Sequence, residues 1–505
     1  MLSVEQIAAR LDNSLQLLTS GGRTTVPRHQ TLRAAIDWSY DILSAPEKAM
    51  WRALSVFAGG FSLEAAEFVC AALSNGYSSL DLLTNLIDKS IVSASRRDAE
   101  TRYSMLETIR QYAAEKLRAA DEETLIGEVH FDYFLQIAER AESEFSKPAR
   151  REWFERLEIE IDNLRAAFER ISSEPRNLVQ TLRLANALWH FWQSSGRLEE
   201  GRRWFEIALA RSVDAPADLR VKALHRLGGL MVLQCDYAGA KEIYESALGL
   251  SRALDDKFYT ARILANLGFA LVNKTEFERA ETTLKEALQI FREMNDPDGI
   301  ARALNGLGTL AHYRNDFAGA SKIFAEALEI YRRIDKKISV LGILQNLGSS
   351  AHLQGNPIEA EKHLREAMQI AEELGERRWI NQTRHVLGYV CNDKGSYTEA
   401  RKFFADALTL DPEIGGKDNI AQVLEGLACT AAAQNNYFRA LKLAAFADAL
   451  REEIKTPRSQ TLQKYFDGYW NIARREVNSE DTTRAASEAR AMTLDEAIQF
   501  ALQDE

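Results

Sequence analysis

Side chains able to grip another molecule recur through the C-terminal half of the chain at a fixed interval. His225, Ala265, Asn305, Gln345, His385 and Glu425 stand forty residues apart, as do Gly229, Phe269, Thr309, Ser349, Tyr389 and Cys429, and then Val232, Val272, His312, His352, Asn392 and Ala432. In each unit the three positions fall at i, i+4 and i+7, which is one face of a helix. Asn266 and Asn346 place amides beside that face. Amides, hydroxyls, imidazoles and aromatic rings in one strip can hydrogen-bond an extended backbone and stack on its side chains. The strip marks Asn266, Phe269, Asn305, Thr309, His312, Gln345, Asn346, His352, His385, Tyr389 and Asn392 as a groove for a protein, a peptide or a small inducer.

Nothing comparable points to catalysis, a cofactor or a metal. His312 and His352 lack the carboxylate or cysteine companions of a zinc site. Cys70, Cys235, Cys391 and Cys429 show no CxxC spacing and read as buried small hydrophobes in a reducing compartment. No G-x-x-x-x-G-K-[ST] occurs: GGRTTVPR at Gly21 has no lysine, and GGKDN at Gly415 has no upstream strand. Neither a nucleophile elbow nor a zinc helix motif is present, and the carboxylates are spread as solvated helix faces.

The elements that carry the strip follow from the same period. Leu227, Leu267, Leu307, Leu347, Leu387 and Leu427 are followed by glycine, or by Ala428 in the last unit. Thirteen residues after each leucine comes an alanine, Ala240 to Ala440, and seven further on another, Ala247 to Ala447. Two antiparallel helices approach closely only where their contact carries Gly or Ala. Asp236, Glu276, Asp316, Asn356, Ser396 and Asn436 stand where the second helix should begin, and all but Glu276 are good caps. Tyr237, Phe277, Phe317, Tyr397 and Tyr437 would fill the space between helix pairs. Met294 to Gly299 and Gly415 to Asn419 read as turns. This pattern resembles the tetratricopeptide repeat in a longer variant, over residues 213–456, with a weaker unit at Leu198, Gly201 and Ala208. The resemblance implies a curved stack whose first helices line the concave wall.

Upstream, amphipathic stretches at 4–18 and 28–43 flank the loop Ser20 to Pro27. Helices are expected at Pro46 to Ala58, Ser62 to Leu73 and Leu80 to Lys89, with Ile91 to Ser93 pairing Thr101 to Ser104 as a hairpin. Helix, helix, helix, hairpin is the order of a winged helix. The segments QTLRAAIDWSYDILS (Gln30 to Ser44), LSVFAGGFSLEAAE (Leu54 to Glu67), DLLTNLIDKSIV (Asp81 to Val92) and RYSMLETIRQYAAEKL (Arg102 to Leu117), with AMTLDEAIQFAL (Ala491 to Leu502), resemble bacterial regulatory ATPases of the STAND class. In that class a nucleotide-binding domain, a helical bundle and a winged helix precede a repeat domain, so the resemblance implies transcriptional control and either a shortened member without ATPase machinery or an internal start at Met1 with a nucleotide-binding domain upstream. A Met-His-Asp triplet senses the bound diphosphate in the class, and Met105, Leu106 and Glu107 stand here without the imidazole. Met105, Leu106 and Ile109 are read as core of the following helix.

Bulk properties agree with a globular protein: 505 residues, 46% hydrophobic, 27% charged and a net charge of -11. No apolar run reaches the ~20 residues that span a bilayer, and the N-terminus has no signal-peptide pattern, so a cytoplasmic location is expected. Lysine plus arginine equals aspartate plus glutamate over residues 46–120, nine each. The third helix of the winged domain offers Asp81 and Asp88 against Lys89, which argues against DNA contact although Arg96, Arg97 and Arg102 lie on the wing. Amphipathic helices over 121–212 should bury Phe131, Phe134, Trp153 and Phe154.

The expected architecture is all-α with one hairpin. It comprises a helical remnant (1–45), a winged helix (46–120), a helical connector (121–212), six repeats (213–456) and capping helices (457–505). The expected function is non-catalytic sensing in the concave groove, with a free-standing adaptor or a DNA-binding winged-helix regulator as rival readings.

Overall fold

The computed structural model describes residues 27–503 apart from 74–75, 98–99, 146–148, 173–177, 213, 410–411, 455, 457 and 459. The expected helix at 4–18 and the loop that follows it to residue 26 lie outside the described residues. The chain forms two compact units, Met1–Asp236 and Tyr237–Glu505. It is mostly helical, and the single sheet among the described residues is a two-stranded hairpin, as the sequence predicts.

The first unit opens with α1 (Pro27–Asp41), α2 (Ala45–Leu54), α3 (Leu63–Cys70) and α4 (Ser79–Asp88). The hairpin β1 (Ser93–Arg97) and β2 (Glu100–Ser104) leads into α5 (Glu107–Ala119). A capping box of Ser44 and Glu47 starts α2, and Ser62 and Ser78 cap α3 and α4. The hairpin is longer than its apolar residues suggest. Ile91 and Val92 are buried ahead of the strand, and the polar residues Ser95 and Arg96 carry it, paired with Arg102 and Thr101. Phe61 adds a rung by exchanging backbone hydrogen bonds with Tyr103 at 2.8 and 2.9 Å. Trp51, Phe57, Phe61 and Tyr112 form the aromatic centre. Leu106 departs from expectation. It is the N-cap residue of α5, where its carbonyl receives the amides of Ile109 and Arg110, and its side chain is exposed.

The connector comprises α6 (Glu123–Glu144), α7 (Arg150–Ile159), α8 (Ile161–Ser172), α9 (Leu178–Ala187), α10 (Trp189–Ser195), α11 (Leu198–Arg211) and α12 (Ala217–Leu233). Phe131, Phe134 and Trp153 are buried as predicted, and Phe154 is half-buried against Phe191. Asn163 fastens α8 to the winged helix by accepting from the Ala58 amide and donating to the Gly60 carbonyl, both at 2.7 Å. At Gly201 a side chain would collide with Trp192, which explains the small residue that opens the weak first unit.

The second unit begins with α13 (Tyr237–Ala253) and continues in antiparallel pairs: α14 (Lys257–Asn273) with α15 (Phe277–Glu293), and α16 (Pro297–Tyr313) with α17 (Phe317–Arg333). Then come α18 (Lys337–Leu353) with α19 (Pro357–Leu374), α20 (Arg377–Asp393) with α21 (Tyr397–Thr409), and α22 (Pro412–Ala433) with α23 (Tyr437–Ile454). Three more helices close the chain: α24 (Gln460–Glu476), α25 (Ser479–Ala491) and α26 (Leu494–Leu502).

The Leu-Gly step does what its chemistry demands. A Cβ on Gly268, Gly308, Gly348 or Gly388 would lie 2.5 or 2.6 Å from Leu284, Phe324, Leu364 or Phe404 of the paired helix, so each glycine is the socket for one large side chain. Turns recur every twenty residues with one left-handed residue: Asp255, Thr275, Asn295, Asn315, Asp335, Gly355, Gly375, Gly395 and Asn435. Asp316, Asn356 and Asn436 cap their helices as predicted, accepting from Gly319, Glu359 and Arg439 amides. Glu276 sits at an N-cap without a capping bond, its carboxylate held instead by Lys241 at 2.8 Å. The segment Gly415 to Asn419 lies inside α22, because Pro412 at a helix start extends that helix upstream. Cys70, Cys391 and Cys429 are buried, whereas Cys235 occupies a left-handed turn position and is exposed.

Candidate binding face of the second unit

First helices of neighbouring pairs pack against one another: α14 on α16, α16 on α18, α18 on α20 and α20 on α22. Neighbouring second helices lack contacts of that extent, so the first-helix side is the inner one. Residues on that side divide into seam and face, and the division is rotated from the strip read in sequence.

Two of the predicted rows lie in the seams. Ala265, Gln345, His385 and Glu425, two before each leucine, are buried, and Asn305 alone of that row in this unit is half-buried. Gln345 donates to the Thr383 hydroxyl of the next first helix. Five residues after each leucine, His312 meets Ser350 at 2.9 Å, and His352 meets Asp393 at 2.6 Å. Asn392 donates to the Gly426 carbonyl at 3.3 Å and accepts from Thr430 at 3.0 Å. These bonds stitch adjacent helices, and burial holds the His312 imidazole below its usual range.

The accessible rows stand five and one before, and two and six after, each leucine. Arg262, Asn266, Phe269 and Asn273 run down α14; Arg302, Thr309 and Tyr313 down α16; Gly342, Asn346, Ser349 and Leu353 down α18. Of the predicted residues, Asn266, Phe269, Thr309 and Asn346 therefore lie on the accessible inner face, half-buried. Asn346 reaches across to donate to Asn305 at 2.9 Å, and Phe269 meets the Tyr237 ring edge-on at 6.5 Å. Arg262 and Arg302 were not in the sequence strip, and continuing its stripe one turn toward the helix start finds them.

Beyond α18 the row two after each leucine is covered from within, while Gln382 stays exposed and Val386 half-buried. The cap helix α24 packs on α22 and α23 and lays its aromatic residues over α20. The Tyr465 hydroxyl donates to Asp393 at 2.8 Å, and its ring meets His352 and Tyr389 edge-on at 5.9 and 5.8 Å. Phe466 and Trp470 are buried beside Tyr389, Leu427 and Cys429. Hence Tyr389, expected to line an open groove, sits beneath the chain's own helix, Asn392 is taken up in the seam with α22, and His385 lies buried edge-on to Tyr389. Sequence position could not show this, because Tyr465 is seventy-two residues from the Asp393 it binds. Burial of the His385 ring pushes its pKa down to about 4. The entry to α24 is pinned by a charged cluster: Glu425, fully buried, accepts from Arg451 at 2.5 Å and from Arg458 at 2.6 Å. Arg458 also pairs with Asp448 and covers the Trp470 ring at 4.4 Å.

In the first unit, α4 exposes Asp81, Thr84, Asn85 and Asp88, and the Lys89 amine is turned to Glu47 at 2.5 Å. Arg102 of the wing is engaged by Glu160, which leaves Arg96 exposed. Among the described residues no group of His, Cys, Asp and Glu is placed to hold a metal ion, and no helix is long and apolar enough to cross a membrane.

A stack of short helical hairpins with an inner face, preceded by a winged helix, defines a class of helical-repeat proteins. The model of the MalT-like TPR region matches residues 220–500, and the chain belongs to that family. A winged helix-turn-helix domain model matches residues 43–118. A Mycobacterium tuberculosis protein named as an HTH-type transcriptional regulator is 36% identical over 272 residues, 52% of this chain and 30% of the relative. An uncharacterised protein of the same organism is 37% identical over 123 residues, 24% of this chain and 31% of that one. The chain thus matches about a third of the length of these curated relatives. The fold is similar to the STAND protein with a tetratricopeptide repeat sensor from Pyrococcus horikoshii, with a TM-score of 0.53 at 16% identity, covering 89% of this chain and 63% of that one. It is also similar to a Rap protein complexed with competence and sporulation factor, with a TM-score of 0.50 at 13% identity, covering 74% of this chain and 98% of that one.

Proposed function

We propose that the chain is a non-catalytic, signal-sensing part of a cytoplasmic transcriptional regulator, and that the inner face of α14, α16 and α18 binds a peptide or an extended protein segment. The observation that carries this reading is the row of half-buried amides, hydroxyls and rings at Asn266, Phe269, Thr309, Asn346 and Ser349, left accessible while Tyr389 and Cys429, the equivalents of Phe269 on α20 and α22, are covered. Half-buried polar groups on rigid helices can bond a peptide backbone at small entropic cost. The neighbouring Rap protein, of similar fold, is complexed with competence and sporulation factor, which supports a ligand-binding reading of the repeat unit. Occupancy would be passed to the winged helix, and a relative named as an HTH-type transcriptional regulator supports control of transcription as the output. The acidic outer surface of α4 favours a packing role for the winged helix over direct DNA contact.

The test is retention of a pooled random hexapeptide library by the full chain, read by mass spectrometry after gel filtration. Wild type retains a subset, and a Phe269→Ala, Asn346→Ala variant loses it while melting at a similar temperature. Equal retention by the two proteins would falsify the groove.

A further inference from the structure

At one edge of the repeat stack, charge is distributed in a way that the folding of a single copy does not explain. Four turns there lead from a second helix to the next first helix: α13 to α14, α15 to α16, α17 to α18 and α19 to α20. The first two carry Asp255, Asp256, Asp296 and Asp298 against Lys257. The last two carry Lys336, Lys337, Arg377 and Arg378 against Asp335 and Glu376. The acidic half suits the positive ends of its helices, with Asp256 and Asp296 at N-caps and Asp298 in the first turn. The basic half opposes them, because Lys336 is the N-cap residue of α18, Lys337 follows it, and Arg377 and Arg378 open α20. Lys336, Arg377 and Arg378 have no ion-pair partner among the described residues, and Lys337 reaches Glu373 only at 4.0 Å. At the opposite edge of the same repeats, Arg314 is satisfied within the copy by Glu281, and Lys394 by Glu361.

The same four turns hold apolar surface open. Leu254, Phe258, Ile338 and Leu374 are 43, 41, 42 and 37% exposed, and Met294 and Ile334 continue the row half-buried. Leu254, Met294, Ile334 and Leu374 are repeat equivalents, as are Phe258 and Ile338 two units apart. Single exposed apolar residues are ordinary, but a row at one repeated position is a surface. Neighbouring first helices stand ~8–10 Å apart, so the row runs for about 30 Å.

We propose that this edge is the contact between two copies of the chain, paired antiparallel about a two-fold axis that passes between the second and third of the four turns. A contact of that symmetry needs a patch complementary to itself. Under the two-fold rotation, Asp296 and Asp298 meet Lys336 and Lys337 of the second copy, while Asp255 and Asp256 meet its Arg377 and Arg378. The same rotation sets Met294 on Ile334 and Leu254 on Leu374, and it brings the Arg378 guanidinium to the open Phe258 ring. A partner of uniform charge would be attracted by half of the edge and repelled by the other half, whereas a second copy satisfies both. Cations set against helix starts then have a reason, since their carboxylates come from the other copy. The contact does not depend on what the inner face binds.

Sedimentation velocity of the full chain tests the contact. A small edge of this kind fits the weak end of specific interfaces, so monomer should give way to dimer as concentration rises from about 1 to 100 µM. The dissociation constant should increase roughly tenfold or more between about 0.05 and 0.5 M salt. Lys336→Glu with Lys337→Glu makes the centre of the edge uniformly acidic, Asp296→Lys with Asp298→Lys makes it uniformly basic, and each double variant alone is monomeric. Mixed in equal amounts, the two recover a dimer containing one copy of each. Wild type that stays monomeric throughout leaves the edge to a different protein and overturns the pairing. So does a dimer that either variant retains, or a mixture of the two, each melting like wild type, that fails to associate. If the lysine variant melts low, Ile338→Ser at an exposed tip decides in its place: a dimer weakened tenfold or more supports the contact, and an unchanged one ends it.

Discussion

The inner face exists in two conditions along one array. Over α14, α16 and α18 the rows facing inward are half-buried and bear arginine, amide and hydroxyl groups. Over α20 and α22 the row two after each leucine is closed by α24, with Tyr389 and Cys429 in an apolar cluster with Phe466 and Trp470. The underlying hairpins are alike, since Gly308 and Gly388 both receive a phenylalanine from the second helix. What differs is the partner each stretch has been given. The covered stretch shows that aromatic side chains, set edge-on and anchored by Asp393 and Glu425, satisfy this surface. The open stretch offers the same geometry without an occupant from the described chain.

The contrast can be broken most severely at Glu425. Glu425→Ala leaves the buried Arg451 and Arg458 without their shared carboxylate, with a cost of about 3–5 kcal/mol. Hydrogen exchange should show the loss concentrated in α22 to α24; uniform protection across the array would contradict a pinned cover. Next is pH. Because His385 in the fold titrates near 4 and the unfolded ring near the usual 6.5, the unfolded chain binds the extra proton between them. Stability from this group is therefore complete above the unfolded value and is lost as pH falls toward 4, by on the order of 3 kcal/mol. His130, held down to about 3 by burial and then by Arg170, adds a parallel loss. His385→Gln against wild type, melted from pH 7 to 4, isolates the covered stretch; parallel curves would mean that the ring is not buried neutral.

A finer cut is Tyr465→Phe, which removes the hydroxyl bond to Asp393 and keeps the ring, for about 1 kcal/mol. Chemical denaturation measures it, and no change would show that rings alone hold the cover. The smallest effect belongs to the open stretch. Ser349→Ala shifts stability by about 0.5 kcal/mol or less, as expected for an accessible site. A large loss there would mean that the open face is packed.

Much of the fold was legible in residue types alone. The forty-residue register placed the Leu-Gly sockets, and Asp316, Asn356 and Asn436 announced their own helix starts. Errors arose where local signals competed with packing. Gly415 and Gly416 read as a turn but lie within α22, and polar strand residues lengthened the wing beyond Ile91 to Ser93. In the site, Asn266, Phe269, Thr309 and Asn346 were placed on the accessible face. Gln345, His312 and His352 instead bond to the neighbouring helix, because an i, i+4, i+7 stripe fixes a face but not its rotation against the next repeat.

Sequence by itself determined the repeat, its sockets and caps, because these depend on residues close along the chain whose spacing is set by helix geometry. Tertiary structure decided which rows of the first helices became seam and which became face, and that α24 closes one stretch and leaves the other accessible. Those outcomes come from contacts between residues far apart in sequence, such as Tyr465 with Asp393 and Arg458 with Glu425, whose meeting no local pattern encodes.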